Sequence, residues 1–316
     1  MESVWWLLGQ LYQKDLMYKG YTIQPYSPKA GTGLSTHELN MPGCYRDVTD
    51  TTIVAQFKLR DGETLPSAFD SAQASGWSSS EAETYFLAWT TTPWTLPSNT
   101  ALTVGPKIEY VLVQTYNQYT KEPMQVILAK NLVGYQFSKN YFAVESADEL
   151  SAYTSEDKKI PYFVAGECLG NDLVGLKYEQ LLPYAQPYED ADQAYRVIPG
   201  DFVTTENGTG IVHTAPTFGA DDAKVAADAG VPGLLVLNEN EDPVPLVDLQ
   251  GRFRPEMGEF AGKYVKNEYY DERSAPEKSV DVEIAIKLKT ENRAFKVEKY
   301  VHSYPHCWRT DKPVLY

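Results

Sequence analysis

Short runs of β-branched, aromatic and aliphatic residues recur through the middle of the chain, each bounded by glycine, proline, asparagine or serine. Such runs predict β-strands, because these residues suit a pleated, half-buried backbone and the turn residues interrupt it. Eight runs fit this pattern: 52–59, 84–91, 109–116, 124–130, 161–167, 195–203, 210–213 and 233–238. Many short strands with few long helices predict a mainly β fold with peripheral helices, built as a barrel or a sandwich.

Two local signals lie close together near residue 210. Asn207-Gly208 stands between FVTT and GIVH and predicts a tight hairpin, because Asn-Gly favours the turn that joins two antiparallel strands. Farther along, Asp221 and Asp222 favour the beginning of a helix, KVAADA suits its body, and Gly230 its end. The stretch is therefore predicted to pass from strand to helix.

The segments on either side of the β region have different residue patterns. Apolar residues at helical spacing predict a packed amphipathic helix that ends near Gly20: Val4, Leu7, Leu8, Leu11 and Tyr12. The next stretch is rich in Pro, Gly and Ser/Thr and predicts an irregular connector with little core of its own. Beyond Ala275, VDVEIAIKL alternates as a strand would, while the Lys/Glu-rich stretch through Lys299 looks helical, and periodicity alone does not decide between helix and strand there. We predict a flank over 1–43, a β domain over 44–274 and a return segment over 275–316.

Composition limits the partners and the compartment. The net charge of the 316 residues is −15, which argues against a surface that grips nucleic acid through many phosphates. Three distant cysteines, Cys44, Cys168 and Cys307, indicate reduced thiols, and no secretory or membrane signal is present, so we expect a cytoplasmic protein without a membrane partner. His302 and His306 lie near Cys307, but without a paired CxxC motif no metal site is predicted.

The common catalytic motifs GxSxG, HExxH, a phosphate-binding loop and GxGxxG are all absent from the sequence. Two other segments remain as candidates for the functional site. WTTTPWTLPSN (residues 89–99) places hydroxyl groups on a stretch that Pro93 and Pro97 are expected to keep out of a helix. GTGIVHTAPTFGADD (residues 208–222) brings an imidazole and two carboxylates into one strand-to-helix crossing. Taken singly, a threonine-rich strand, a histidine at a strand end or an acid at a helix start is usually structural. Both tryptophans of the first segment, Trp89 and Trp94, are expected in the core.

Taken together, in this order and at this spacing, the two segments resemble the editing domain inserted in class I isoleucyl-tRNA synthetases. GYTIQPYSP and GCYRDVTDTTIVAQF before them, and EKYVHSYPHCWR after them, resemble the flanks that return to the catalytic core of those enzymes. TTTPWT separates the chain from the valyl and leucyl relatives. Phe218 stands where the commonest bacterial pattern has a second histidine, and in this the chain resembles the eukaryotic-like branch. The resemblance implies a β-barrel-like editing domain.

The resemblance also implies roles for individual residues. Asp222 matches the aspartate that holds the α-amino group of the substrate, and Thr91 and Thr92 match the reaction centre, so these three are the predicted catalytic residues. His213 matches the histidine that lines the amino-acid pocket and helps to exclude isoleucine. The full set predicted to bind substrate is Thr90, Thr95, Asn99 and His213.

The resemblance implies a hydrolytic function. A pocket shaped for isoleucine cannot strongly reject valine, and isoleucyl-tRNA synthetases are the standard example of an enzyme that therefore needs a second, hydrolytic site. We expect an oriented water to hydrolyse valyl-tRNA(Ile) at its 3′ CCA end, with no cofactor or metal. The expected partners are tRNA(Ile) and the remainder of the synthetase, because the ATP-dependent activation motifs are absent here. A non-catalytic module that docks the CCA end, or hydrolysis of valyl-adenylate, remains open.

Overall fold

The computed structural model describes residues 1–18, 23–70, 77, 82–271 and 273–315. The α-helices in these ranges are α1 (Glu2–Gln13), α2 (Thr36–Leu39), α3 (Val133–Gln136), α4 (Gly170–Leu173), α5 (Ala220–Asp228) and α6 (Val280–Thr290). The strands are β1 (Tyr26–Ser27), β2 (Thr32–Gly33), β3 (Tyr45–Lys58), β4 (Glu83–Thr90), β5 (Ala101–Val104), β6 (Glu109–Tyr116), β7 (Pro123–Ala129), β8 (Tyr141–Ala143), β9 (Ile160–Leu169), β10 (Arg196–Pro199), β11 (Ile211–Thr214), β12 (Leu235–Leu237), β13 (Pro243–Pro245) and β14 (Ala294–Pro305). Short 3-10 helices cover Ser67–Phe69, Pro93–Ser98, Lys130–Leu132, Ala147–Ala152, Ala191–Gln193, Pro255–Phe260 and Asn267–Tyr269.

Ten of the strands form one mixed sheet, which runs in the order β10, β5, β11, β4, β7, β6, β9, β8, with β3 lying between β4 and β14. Strand β4 is the centre of this arrangement. One edge of β4 pairs antiparallel with β3, and its other edge pairs in parallel with β7 up to Phe86 and then with β11 at Trp89. The parallel strands β4 and β11 therefore end at the same edge of the sheet.

The central strands are apolar on both faces, because each face lies on its own core. In β3, Ile53 and Phe57 belong to the larger core cluster while Val54 belongs to the second one; in β4, Phe86 and Leu87 divide in the same way. Alternate side chains point to opposite faces of a strand, so an unbroken apolar run indicates burial on both sides. Ten strands, β3 to β7, β9 to β12 and β14, contribute to the larger cluster. The prediction of a mainly β domain with peripheral helices is confirmed.

Most strands in the middle of the chain were predicted. The run over 109–116 coincides with β6, and the runs over 84–91 and 124–130 differ from β4 and β7 by one residue at either end. Strands β5, β8 and β13, each of three or four residues, lie outside the predicted runs. The helix predicted after Asp221 is also confirmed as α5, with Gly230 in the left-handed conformation just beyond its end.

The prediction of a hairpin at Asn207-Gly208 is wrong. Strands β10 and β11 both pair with β5, one parallel and the other antiparallel, and not with each other. Gly208 does adopt a positive φ of 76°, but a side chain there would press on the Trp89 ring. At Gly210, with φ of 73°, a Cβ would collide with Ala129. These glycines serve close packing on neighbouring strands and not a two-residue turn.

The segment beyond Ala275, where periodicity left helix and strand open, forms a helix followed by a strand. VDVEIAIKL forms α6, whose buried residues Val280, Ile284 and Leu288 follow helical spacing, and the Ser279 hydroxyl accepts the N–H of Val282 at the helix start. The stretch from Ala294 forms β14, which pairs with β3 along its whole length. Pairing with β3 outweighs the helical preference of the Lys/Glu-rich sequence.

The N-terminal helix forms but does not pack. No residue of α1 is buried, and its large apolar side chains, Trp5 and Trp6 among them, are exposed. The helix ends at Gln13, and Gly20 lies outside the described residues. The prediction of a packed helix is therefore wrong for this chain. No helix in the described ranges is both long and apolar enough to cross a membrane.

The connector after α1 shares a small core with the end of the chain. Leu34, Leu39 and Cys44 pack with Cys307 and Val314. The backbones of Tyr26 and Leu315 are joined by two hydrogen bonds, with N–O distances of 2.7 and 2.8 Å. The two flanks of the β domain thus meet and stabilise each other, although the sequence predicted little core in the first of them. The domain boundaries at 43 and 275 remain a prediction.

Candidate functional site

A cavity of about 280 Å³ lies where β4 and β11 end. Its lining comes from both predicted segments: Trp89, Thr90, Thr91, Thr92, Thr95, Val212, His213, Ala215, Phe218 and Asp222. Six of the seven predicted site residues are therefore brought together, although the two segments that carry them lie more than 100 positions apart in the sequence. The parallel pairing of β4 and β11 is the reason for their meeting.

The threonine segment is fixed by its own hydrogen bonds. The hydroxyl oxygen of Thr90 accepts the backbone N–H of Thr92 at 3.1 Å, and the hydroxyl of Thr95 donates to the carbonyl of Thr92 at 2.9 Å. The Thr92 hydroxyl oxygen lies 3.3 Å from that of Thr90 and 3.5 Å from that of Thr95. With the described residues, the hydroxyl of Thr91 forms no hydrogen bond. Thr91 therefore has the hydroxyl most available to a ligand.

The prediction that Pro93 and Pro97 keep this segment out of a helix is wrong. Pro93–Ser98 is a buried 3-10 helix that begins directly after Thr92. Proline suits the first position of a helix, because the N–H that it lacks has no partner there in any case. A short 3-10 turn also tolerates Pro97 better than a long α-helix would.

His213 lies at the wall of the cavity as a neutral imidazole. Its side chain is 7% exposed, Nε2 lies 3.0 Å from the hydroxyl oxygen of Thr95, and Nδ1 lies 2.9 Å from Nδ2 of Asn99. Burial lowers the pKa of His213 from 6.5 to about 3, because neither neighbour carries a charge that would stabilise the imidazolium. The side chain can shape the pocket and donate one hydrogen bond, but it does not carry a charge at neutral pH.

Asn99 does not line the cavity, in contrast to the substrate-binding role predicted for it. Its side chain is 1% exposed and lies behind His213, where Nδ2 donates to the carbonyl of Ala101 at 2.8 Å. The hydroxyl of Tyr178 donates to Oδ1 of Asn99 at 2.6 Å. Asn99 therefore supports the cavity wall from the core.

Asp222 places a carboxylate in the cavity from the first turn of α5. One oxygen, Oδ2, accepts the backbone N–H of Ala215 at 2.9 Å. Burial raises the pKa of Asp222; the Ala215 bond opposes this, and the neighbouring Asp221 adds to it. Asp221 itself is exposed, as expected for an ordinary acid at a helix start. Asp222 is thus a partly desolvated acceptor whose charged form a bound cation would stabilise.

Aromatic side chains form part of the cavity wall and of the core behind it. Trp94 is 2% exposed, which confirms it as a core residue, and its ring contacts that of Phe218 edge-on at a centroid distance of 5.0 Å. Trp89 is only half-buried and lines the cavity, with its ring packed edge-on against Tyr300 at 5.2 Å. Phe218 contributes an apolar ring to the wall of the cavity.

A buried ion pair behind the threonine segment was missed by the sequence reading. Asp281, in α6, accepts the backbone N–H of Trp94 at 2.8 Å and lies 3.8 Å from Nζ of Lys266. Lys266 also pairs with Asp50 at 3.0 Å, and Asp50 lies 3.2 Å from Nε2 of His302. Burial raises the pKa of Asp281 to about 7, against the opposing effect of Lys266. No local pattern could have shown this contact, since Trp94 and Asp281 are 187 positions apart.

We expect Asp281→Ala to lower the free energy of unfolding by about 2–3 kcal/mol, because the N–H of Trp94 would lose its buried acceptor and Lys266 one of its carboxylates. Asp281→Asn should cost much less, since the amide oxygen keeps the bond to Trp94. Urea unfolding of the three proteins measures the difference. Equal losses for both variants would show that the hydrogen bond to Trp94 is not what stabilises the segment.

Metal ligands are not grouped in the described part of the chain, where no three His, Cys, Asp or Glu side chains could hold one ion. Cys44, Cys168 and Cys307 are free and buried. His302 faces Asp50, while Nδ1 of His306 lies 3.0 Å from the carbonyl of Tyr304.

Comparison with known proteins gives the family. A family model described as tRNA synthetases class I (I, L, M and V) matches residues 1–163, which is more than half of the chain. The chain belongs to the class I tRNA synthetase family. Among curated relatives of this family, the isoleucine–tRNA ligase of Cytophaga hutchinsonii is 58% identical over the whole chain, and that of Bacteroides fragilis is 53% identical. The resemblance read from the two motifs is confirmed.

The chain spans about a quarter of the length of the curated synthetases that it matches, with 27% of both ligases covered. A more distant isoleucine–tRNA ligase, from Treponema denticola, is 38% identical over the whole chain, which covers 26% of it. Among solved structures, the chain is similar to one described as GlLeuRS-CP1, with 18% identity and a TM-score of 0.45 over 79% of this chain and 99% of that one.

Proposed function

We propose that this part of a class I synthetase hydrolyses valyl-tRNA(Ile) at the ester bond of its 3′ end. One observation carries the proposal: a partly desolvated carboxylate, four threonine side chains and a neutral imidazole line one cavity at the end of two parallel strands. Such a cavity can hold a small aminoacyl group by its ammonium and bring polar groups to its carbonyl. Asp222 fixes the ammonium through a charge-assisted hydrogen bond.

The reacting water is positioned and not deprotonated by a strong base. The pKa of His213 is lowered to about 3, and the imidazole meets Thr95 on one side and Asn99 on the other, so its ring nitrogens are occupied. A threonine hydroxyl is a poor general base at its ordinary pKa. We infer that Thr91 and Thr92 orient the water and stabilise charge that develops on the ester oxygen, while the ribose hydroxyl of the substrate assists the proton transfer. No covalent intermediate is needed.

The polypeptide's net charge of −15 does not contradict this substrate, because only the unpaired CCA end has to enter the cavity. Single-stranded ends are recognised by stacking and by contacts to base edges more than by broad phosphate contacts. Trp89, half-buried at the cavity, offers such a surface. The remainder of the synthetase and tRNA(Ile) are the proposed partners, and the cytoplasm is the proposed compartment. Two alternatives would use the same cavity. It could hydrolyse valyl-adenylate, or it could bind the CCA end without hydrolysing the ester.

Binding of a non-hydrolysable amide analogue of 3′-valyl-adenosine tests the role of Asp222 apart from catalysis. We expect the analogue with a free amine to bind at least tenfold more tightly than its N-acetyl form, since a hydrogen bond to a charged group contributes about 1.5–3 kcal/mol. Isothermal titration calorimetry of both compounds measures the ratio. Equal affinity of the two compounds would show that the cavity does not bind the ammonium group and would contradict the proposal.

A further inference from the structure

A chain of hydrogen bonds leads from the core to the cavity wall. It begins at Tyr178, whose hydroxyl donates to Oδ1 of Asn99 at 2.6 Å. From Asn99, Nδ2 reaches Nδ1 of His213 at 2.9 Å. From His213, Nε2 reaches the hydroxyl oxygen of Thr95 at 3.0 Å, and that hydroxyl donates to the carbonyl of Thr92 at 2.9 Å. Every side chain between Tyr178 and Thr95 is less than 10% exposed.

The direction of the chain follows from its acceptors. Two carbonyl oxygens, of Ala101 at 2.8 Å and of Thr214 at 3.3 Å, face Nδ2 of Asn99, so this atom must be the amide nitrogen. The amide then donates to Nδ1 of His213, which must accept. A neutral imidazole carries one N–H, and it is therefore on Nε2, where it donates to Thr95. The hydroxyl of Thr95 is thereby left to donate to Thr92.

Tyr178 fixes the other end of the amide. It is fully buried, and its ring packs edge-on against Phe57 at 5.5 Å and Tyr195 at 6.2 Å. Its hydroxyl gives Oδ1 of Asn99 the donor that this buried oxygen needs, which holds the plane of the amide in place. Without that donor, the buried oxygen would be unsatisfied, and only the contacts of Nδ2 would hold the plane of the amide.

We propose that Tyr178 and Asn99 are positioning residues that hold His213 in its Nε2–H tautomer and, through Thr95, hold the carbonyl of Thr92 at the cavity. The effect on hydrolysis rests on the proposed function, but the tautomer itself does not. In this state no lone pair of His213 is free to take a proton from water. The imidazole acts as a fixed wall and a donor.

The tautomer is measured by ¹⁵N nuclear magnetic resonance of the histidine-labelled chain, because protonated and unprotonated ring nitrogens differ widely in chemical shift. We expect the unaltered protein to carry its proton on Nε2 of His213 at neutral pH. Asn99→Asp replaces the donor by an acceptor and should move the proton to Nδ1. Tyr178→Phe should give a mixture of both tautomers. Thermal unfolding of each variant shows that it is folded.

Tyr195→Phe is the matched control. The hydroxyl of Tyr195 is also buried and close to Tyr178, but it has no hydrogen-bond partner within the described residues. Its removal should leave the tautomer and the hydrolysis of valyl-tRNA(Ile) unchanged. Tyr178→Phe should lower kcat about tenfold with little change in KM, as expected for a residue that positions the groups around the reacting ester.

The two proposals fail in different ways. A proton on Nδ1 in the unaltered protein, or a Tyr178→Phe spectrum identical to it, would overturn the assignment of positioning residues. An Nε2–H tautomer that shifts as expected, in a chain that releases no valine, would support the role of Tyr178 and Asn99 and would contradict the hydrolytic function instead.

Discussion

Asp222→Asn is expected to slow the hydrolysis of valyl-tRNA(Ile) on the order of 100-fold, since the loss of a charged hydrogen bond of about 3 kcal/mol corresponds to two factors of ten in rate. The substitution keeps the size of the side chain, and its amide oxygen can still accept the N–H of Ala215. The change therefore removes the negative charge and leaves the local backbone in place. Release of labelled valine under single-turnover conditions measures the rate.

Asp221→Asn provides the control for charge at the same helix start. Both aspartates lie in the first turn of α5, but Asp221 is exposed and only Asp222 lines the cavity. Hydrolysis by Asp221→Asn should remain within about twofold of the unaltered chain, because an exposed charge contributes little here. Equal losses for both variants would mean that the helix start, and not the contact with the ammonium, determines the rate.

The stability of the protein should fall in mild acid because of His213. Its pKa is lowered to about 3 in the folded state from the 6.5 of a solvated histidine, so the unfolded chain binds a proton first. The contribution is therefore present above pH 6.5 and is lost as the pH falls towards 3. At about 1.4 kcal/mol per pH unit, we expect a loss of about 3 kcal/mol between pH 6.5 and pH 4 from this group alone.

His213→Gln separates this effect from the titration of other groups. Urea unfolding at pH 6.5 and pH 4 should show a smaller acid-induced loss for the variant, by about 3 kcal/mol. Asp222 titrates nearby with a raised pKa, and its contribution has the opposite sign, but it is present in both proteins. Parallel pH curves for the two proteins would show that His213 is not held in its neutral form by burial.

The sequence was most informative where local pattern and tertiary context agree. The apolar runs of β4, β6 and β7 were recognised because these strands are buried on both faces and therefore contain nearly continuous aromatic, aliphatic and β-branched residues. The two site segments were recognised by their residues, and the parallel pair β4 and β11 brings them together.

Where pairing partners decide the outcome, the sequence alone does not determine the structure. The residues of β14 form a strand because they pair with β3. VDVEIAIKL forms the helix α6, whose buried residues follow helical spacing although the sequence also alternates apolar and polar residues. The same holds at the site. The roles of Asn99 and Asp281 depend on Tyr178 and Trp94, which lie 79 and 187 positions away from them. Hydrogen bonds of this range leave no periodic signal in a single sequence.

The most direct test of the account is the release of amino acid from valyl-tRNA(Ile) and isoleucyl-tRNA(Ile) by the isolated chain, measured side by side. We expect rapid release of valine and no release of isoleucine above the rate in buffer, with the valine release lost in Asp222→Asn. Cleavage of neither ester by the folded chain would contradict an autonomous hydrolytic site. Equal cleavage of both would contradict a cavity that selects the smaller side chain.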